Sequence, residues 1–298
     1  MASLSNSLSL RSFPLLGATG KFDLAALSFA QNWEEAADAD GFADHPQLEH
    51  WFDPRFLVAT SGFDSGHRVT GWASLKDSSV RFQGALTAGE ILDTGPYLRR
   101  KNGTALSTVT EGSSGLFNAP LTDEARFIGP ADANGAASNG EISLIGLTPI
   151  APPYTIFAVA YNFDYLVSNG QKQLITKIDG VTSTDILYYA NVNRYCFKRD
   201  FRIADDGQPQ VTSNGVHLMM FEVDPANNRV TSWLNDPDTG YTETNSPLNT
   251  TGSINNGMTI TPQTTTHSLG EFGFFSGKLS AQDRTDLFNR IKSRNGIS

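Results

Sequence analysis

Two carboxylates, Glu222 and Asp224, have the spacing of a pair of catalytic acids. They stand two residues apart in the run GVHLMMFEVD, and alternate residues of a β-strand share one face, about 6–7 Å apart. Two carboxylates that face one cleft could act as nucleophile and acid in glycoside hydrolysis. Asp224 directly precedes Pro225, a sequence typical of a turn, and we therefore expect a structural role for the pair rather than catalysis.

Aromatic side chains are the second kind of residue that could meet a ligand, because sugars stack on exposed rings. Most aromatic residues of a β-rich chain belong to its core. Tyr241 lies in the polar run DPDTGYTETN and is the best candidate for an exposed ring, with Trp233 as a weaker one. The other rings that could stack on sugars are Trp72, Tyr188 and Tyr189.

Paired aspartates offer oxygen ligands of the kind that Ca²⁺ takes. One pair is Asp236 and Asp238 in LNDPDTG, and the other is Asp205 and Asp206 in ADDGQP. Asp-Pro and Asp-Gly sequences also make turns, which we favour here. We therefore predict no cofactor, with Ca²⁺ as a weakly supported alternative.

The histidines and the cysteine do not form a recognisable site. His45 and His50 in HPQLEH are five residues apart, about 140° around a helix, whereas a zinc-binding helix needs a spacing of four. Cys196 is alone, so that no disulfide can form within the chain and a small core residue is expected. The sequence thus predicts neither a catalytic residue nor a metal ligand.

Composition favours many short strands joined by polar loops. The chain has 298 residues, of which 39% are hydrophobic and 18% charged, with 27 Gly and 14 Pro. A net charge of −9 disfavours nucleic acid as a partner. No apolar run approaches the roughly 18 residues of a membrane span, and the N-terminus lacks the pattern of a signal peptide.

Strand signals recur from Trp51 onward. YTIFAVAYNF is a continuous apolar run that predicts a central strand covered on both faces. GVHLMMFEVD and RVTSWLND flank residues 225–228 as a predicted hairpin, and QLITKID is followed by ILYYANV as a second pair. Residues 1–45 carry apolar side chains without the periodicity of a core, and we interpret them as an arm or anchor.

The chain ends on a strand and an amphipathic helix. LGEFGFFS predicts a mostly buried strand. Ser280 is a predicted N-cap with Asp283 three residues later, Gly296 is the predicted stop, and the helix spans 280–294. Its apolar face has to dock on the sandwich, because an isolated helix of this length is marginal. That face consists of Leu287, Phe288 and Ile291.

This ending resembles that of concanavalin A-like, laminin-G-like jelly-roll domains, in which a final strand precedes a helix of the form L-S-x-x-[DE]-R-x-x-[LI]. The resemblance covers residues 46–298 in the right order. Besides the helix it rests on WFDPRF, GHRVTGWASLKDSSVRF, PYTIFAVAY and VHLMMFEVDPANNRVTSWLND. Some glycosidases of this fold carry a third acid after the pair, but Ala226 and Asn227 stand at those positions here.

The resemblance implies an all-β antiparallel sandwich (jelly roll) over 46–298, with a docked C-terminal helix, preceded by an arm over 1–45. We expect a non-enzymatic virion surface protein: a capsid decoration, head spike or tail fibre of a phage. Its partners would be other virion proteins, bound through the arm, and cell-surface polysaccharide; the analogy allows a homotrimer. A carbohydrate-active enzyme or a secreted lectin of the same fold, with an extracellular location, is the alternative.

Overall fold

The computed structural model describes residues 45–54, 71–84, 97–99, 127–129, 142–162, 171–180, 184–189, 193–198, 210–243, 252–260 and 267–297. The predicted arm lies outside this part of the chain, apart from His45. The first seven strands are β1 Leu48–Phe52, β2 Gly71–Ala73, β3 Arg81–Gly84, β4 Tyr97–Arg99, β5 Phe127–Gly129, β6 Ile142–Ile145 and β7 Tyr154–Asn162.

The remaining elements include the longest strands and the helix. The strands are β8 Gln171–Thr176, β9 Asp185–Tyr189, β10 Arg194–Lys198, β11 Gly215–Asp224, β12 Arg229–Leu234, β13 Gly240–Glu243, β14 Thr259–Ile260 and β15 His267–Ser276. A single 3-10 turn, Pro225–Asn227, joins β11 to β12, and helix α1 covers Ala281–Asn295.

The strands form two antiparallel sheets, which confirms the predicted β-sandwich. Within the described residues, the first sheet has the order β13-β12-β11-β7-β15-β5-β4, and β1 also pairs with β15. The second has the order β10-β9-β8-β14-β6-β3-β2. The predicted pairs β11–β12 and β8–β9 are both present.

The core between the two sheets is rich in aromatic rings. Phe52 stacks on Phe272 with centroids 4.9 Å apart, and Trp72 meets the same Phe272 edge-on at 5.2 Å. Phe82 from the second sheet and Phe274 from the first join this group. Offset and edge-on contacts are the favoured geometries for such rings.

Strand β7 lies between β11 and β15, and it is buried on both faces as the sequence predicts. Its residues Ile156, Ala158 and Ala160 face the second sheet. The alternate residues Phe157 and Val159 face the other way, toward helix α1. We call this the helix face of the first sheet.

Helix α1 covers the helix face, which confirms the predicted docking. Leu287, Phe288 and Ile291 are fully buried against Leu218 and Met220 of β11. Burial of one large apolar side chain stabilises the folded state by about 1.5–3 kcal/mol. The burial of these three side chains therefore holds the helix to the sheet.

The caps of α1 are those expected from the sequence. Ser280 Oγ accepts a hydrogen bond from the Asp283 N–H at 3.1 Å and donates to the Asp283 carboxylate at 2.6 Å. Gly296 has φ +63°, a left-handed conformation that glycine adopts freely. Its N–H and that of Ile297 bond the last helical carbonyls.

Candidate functional site

The carboxylate pair lies at the end of β11, on the helix face of the first sheet. Glu222 and Asp224 follow Leu218 and Met220 at the strand period of two, so their side chains lie on the same side as α1. Lys278, in the segment between β15 and α1, reaches both carboxylates. Arg229 of β12 completes a group that we call the carboxylate cluster: Glu222, Asp224, Arg229 and Lys278.

The contacts of the Asp224 carboxylate give it a structural role. Its carboxylate accepts from Asn227 Nδ2 at 2.7 Å and from the Asn227 N–H at 3.4 Å, which caps the 3-10 turn. It also bonds the Lys278 ammonium and lies 3.0 Å from Arg229 Nε. Burial alone would raise the pKa of Asp224, but the bonds from Lys278 and Asn227 outweigh it and hold the pKa at about 2.

The pKa of Glu222 is shifted in the opposite direction, upward. Its Oε1 lies 4.0 Å from Lys278 Nζ, and no side-chain hydrogen bond to this carboxylate compensates its burial within the described part of the chain. Burial therefore raises the pKa of Glu222, against the opposing charges of Lys278 and Arg229. The two carboxylates thus have different protonation tendencies, and a lysine lies between them.

Tyr241 lies on β13, at one end of the first sheet among the described strands, with its side chain half-buried. Its hydroxyl donates to Glu243 Oε2 at 3.4 Å, because residues two apart on a strand share a face. Thr242 between them points to the opposite face of β13, where its hydroxyl lies 3.1 Å from that of Thr231. The ring and the carboxylate therefore lie together on one face of the strand, and we call Tyr241 and Glu243 the β13 patch.

Trp233, the second candidate ring, is covered. It is 6% exposed, and the Arg284 guanidinium of α1 lies 4.6 Å from its ring centroid. On β13 the ring meets Gly240, where a Cβ would come within 2.5 Å of the Trp233 Nε1 atom. A sugar could stack on Trp233 only if one of these neighbours moved, so this residue contributes a contact between sheet and helix.

The loop between β12 and β13 is built by Asp236. Its Oδ1 accepts from the Asp238 N–H at 2.9 Å and its Oδ2 from the Thr239 hydroxyl at 2.7 Å, which confirms the turn expected here. Helix α1 supports the same loop, since Arg284 Nε donates to the Pro237 carbonyl at 2.9 Å. The other predicted pair, Asp205 and Asp206, lies outside the described residues.

The remaining candidates are mostly core residues. Trp72 and Cys196 are each 1% exposed, as their expected core role requires. Tyr188 and Tyr189 lie on β9. In the described ranges no three His, Cys, Asp or Glu side chains come close enough to hold a metal ion, and no helix is long and apolar enough to span a membrane.

A buried ionic group joins β15 to the helix, and sequence analysis did not find it. Register shifts between Leu269 and Phe272, so a β-bulge turns Glu271 onto the helix face. Its carboxylate accepts from Trp51 Nε1 at 3.1 Å and from Asn295 Nδ2 at 2.6 Å, and it pairs with Arg294. The only local signal was a glutamate inside an apolar strand.

No family model matches the chain, and no curated protein matches its sequence. Among solved structures, Trypanosoma rangeli sialidase in complex with 2,3-difluorosialic acid aligns with a TM-score of 0.47 and 9% identity, over 88% of this chain and 38% of that chain. The botulinum neurotoxin serotype G binding domain aligns with a TM-score of 0.36 and 16% identity, over 53% of this chain and 41% of that chain.

This chain therefore spans about two fifths of the length of those two structures. At such TM-scores the alignments carry no argument about what it binds, and its own strand order defines the fold.

Proposed function

We propose that this chain is a non-enzymatic β-sandwich module that binds carbohydrate at the β13 patch. The observation that carries the proposal is the half-buried ring of Tyr241 beside the Glu243 carboxylate on β13, which lies at one end of the first sheet among the described strands. An aromatic ring can stack on the C–H face of a sugar, while a carboxylate accepts hydrogen bonds from its hydroxyl groups. These are the groups that a neutral, hydroxyl-rich glycan requires.

The carboxylate cluster supports the non-enzymatic part of the proposal. A glycosidase nucleophile must be free to attack the sugar. Asp224, by contrast, is 1% exposed, caps the 3-10 turn and bonds Lys278. Using it as a nucleophile would break the contacts that hold the β11–β12 connection.

A glycan array probed with the full-length protein tests the proposal. We expect binding by the natural protein, weaker binding by Tyr241→Phe, and loss of binding by Tyr241→Ala with the fold intact by circular dichroism. Equal binding by Tyr241→Ala would reject the β13 patch as the site. Absence of any bound glycan would reject carbohydrate binding itself.

One observation favours the alternative of a glycoside hydrolase. Two carboxyl groups whose pKa values are shifted in opposite directions are typical of an acid and nucleophile pair. Here the pKa of Glu222 is raised and the pKa of Asp224 is lowered. A screen of the array glycans for hydrolysis by natural protein and by Glu222→Gln separates the two. Hydrolysis that the variant loses would establish an enzyme, whereas hydrolysis retained by the variant would remove Glu222 from any catalytic role.

The location on a virion surface, with residues 1–45 as anchor, is part of the same proposal. It rests on the apolar side chains of that segment, which lack the periodicity of a core, and on the jelly-roll resemblance. A fragment of residues 46–298 should fold but no longer join particles that incorporate the full chain. Failure of this fragment to fold would show that the arm belongs to the sandwich instead.

A further inference from the structure

His217 of β11 is a buried histidine with a hydrogen bond at each ring nitrogen. Its Nε2 lies 3.1 Å from the Ser213 carbonyl oxygen, and its Nδ1 lies 3.1 Å from Asn235 Nδ2. A carbonyl oxygen can only accept, so Nε2 must carry the proton. The imidazole is only 5% exposed, and water therefore cannot readily replace either partner.

The orientation of the Asn235 amide follows from its other partner. The Leu218 N–H donates to Asn235 Oδ1 at 2.8 Å, and a backbone N–H can only donate. The oxygen must therefore face Leu218, which leaves the amide NH₂ group to face His217. Nδ1 of His217 is thus an acceptor, and the neutral Nε2–H tautomer satisfies all these groups.

Asn235 joins three elements at the corner between β12 and β13. Its N–H donates to the Leu218 carbonyl at 2.9 Å, and its own carbonyl accepts from Lys292 Nζ of α1 at 3.0 Å. With φ +57° it adopts the left-handed conformation that asparagine tolerates. The chain then continues through the Asp236 turn to the β13 patch, so this corner positions Tyr241.

The groups around His217 do not favour a positive charge. On β10 the Tyr195 ring lies 6.0 Å away, and His267 of β15 meets the same tyrosine at 6.2 Å. Ala160 is the register partner on β7, and Lys292 of α1 reaches the other side of Asn235. None of these neighbours is a carboxylate. Burial lowers the pKa of His217, and the bond to Ser213 opposes that effect only in part.

We propose that the hydrogen bond between His217 and Asn235 is an acid-sensitive switch that opens the β12–β13 corner. A proton on Nδ1 would place an N–H against the Asn235 NH₂ group. Rotating that amide by 180° would instead set NH₂ against the Leu218 N–H, so neither arrangement satisfies both contacts. The inference does not depend on carbohydrate binding.

The direction of the pH dependence follows from linkage. In the opened state the pKa of His217 is near its ordinary value of 6.5, and in the closed state this pKa is lower. The closed corner is therefore fully favoured above pH 6.5 and loses stability as the pH falls below it.

Amide hydrogen exchange of the full-length protein, expressed as protection factors at pH 7.5 and pH 5, measures this opening. We expect the Leu218 and Asn235 amides to be less protected at pH 5 than at pH 7.5, by at most about 30-fold, the limit that a pH 1.5 units below the ordinary pKa of 6.5 sets. His217→Gln can make both hydrogen bonds without titrating, and its protection should be the same at both pH values. Equal protection of the natural protein at both values would overturn the proposal.

Two further variants make the test specific. In Asn235→Asp a carboxylate accepts from the Leu218 N–H and from protonated Nδ1, so protection should rise on acidification instead of falling. His50 is also buried, with its Nδ1 3.1 Å from Ser74 Oγ, and His50→Gln is the matched control that should keep the natural response. A natural response in His217→Gln would contradict the switch even if Asn235→Asp did not fold.

Discussion

Lys278 shows how one side chain determines what two carboxylates can do. It lies in the segment before α1, yet it bonds Asp224 and lies 4.0 Å from Glu222 on β11. Without this cation, two acids at i and i+2 on one strand face would be a plausible catalytic pair. With it, they hold the end of β11 to the start of the helix.

The first prediction concerns the removal of this cation. Lys278→Met should lower the free energy of unfolding by about 1–3 kcal/mol, because it removes the ammonium that bonds Asp224 and lies beside Glu222 and leaves Arg229 as the one cation of the carboxylate cluster. Lys278→Arg, which keeps the charge, should lose less, and Lys278→Met combined with Asp224→Asn should recover part of the loss. Urea denaturation measures all three, and equal stability of Lys278→Met and the natural protein would contradict a structural role.

Asp224 predicts how stability changes in acid. Its pKa is about 2 in the folded protein against an ordinary value of 3.8. Because the folded pKa is the lower one, the stabilisation is complete above pH 3.8 and is lost as the pH falls toward 2. The loss is on the order of 2 kcal/mol for this nearly inaccessible side chain. Urea midpoints between pH 4.5 and 2 should fall less steeply for Asp224→Asn, and parallel curves would refute the assignment.

At the scale of elements, helix α1 is held to the first sheet by both apolar and polar contacts. Its apolar face packs on β11, and its last turn bonds the bulge of β15 through Glu271. In addition, Lys292 reaches the carbonyl of residue 235 at the start of the β12–β13 turn, and Arg284 reaches that of residue 237 in its middle. The helix therefore supports the strand that carries the β13 patch.

The third prediction tests the contact between the bulge and the helix. Glu271→Ala leaves Arg294, Asn295 and Trp51 Nε1 without their shared acceptor. Breaking such a buried pair costs about 3–5 kcal/mol. Hydrogen exchange should show a larger loss of protection at the end of α1 than in β7. Glu271→Gln retains an acceptor oxygen, so the loss of protection should be smaller in this variant. Unchanged exchange in the last turn of Glu271→Ala would contradict this account.

Elements whose signals are local were predictable from the sequence. β7 is a continuous apolar run, and the ends of α1 carry their own capping residues, Ser280 and Gly296. The run from Arg68 to Gly84 alternates as a strand does, yet the structure places two short strands, β2 and β3, within it. Asp77 makes the turn between them by accepting from the N–H and hydroxyl of Ser79.

The contacts that define the candidate site depend on topology instead. Lys278 and Asp224 are 54 residues apart, and Arg294 and Glu271 are 23 apart. Charges at such separations can be paired only when the order of strands in the sheet is known. The carboxylate spacing was visible in the sequence, but the cation that neutralises the pair was not.

At the scale of the whole molecule, two end strands of the described sheets, β13 of the first and β10 of the second, lie on the same side of the sandwich. Phe197 of β10 packs on Phe221 of β11 with ring centroids 5.7 Å apart, so β10 lies over the part of the first sheet next to β12 and β13. The β13 patch is therefore on this side. Because the net charge is −9, we expect neutral glycans to bind better than anionic ones.

The most direct test of this account is calorimetric titration of the full-length protein with the glycan that binds best on the array. We predict that Tyr241→Ala weakens the affinity at least about tenfold, or 1.4 kcal/mol, with an unchanged unfolding midpoint and with the glycan recovered intact by mass spectrometry. Equal affinity of Tyr241→Ala and the natural protein, or recovery of a cleaved glycan, would contradict a non-enzymatic carbohydrate site at β13.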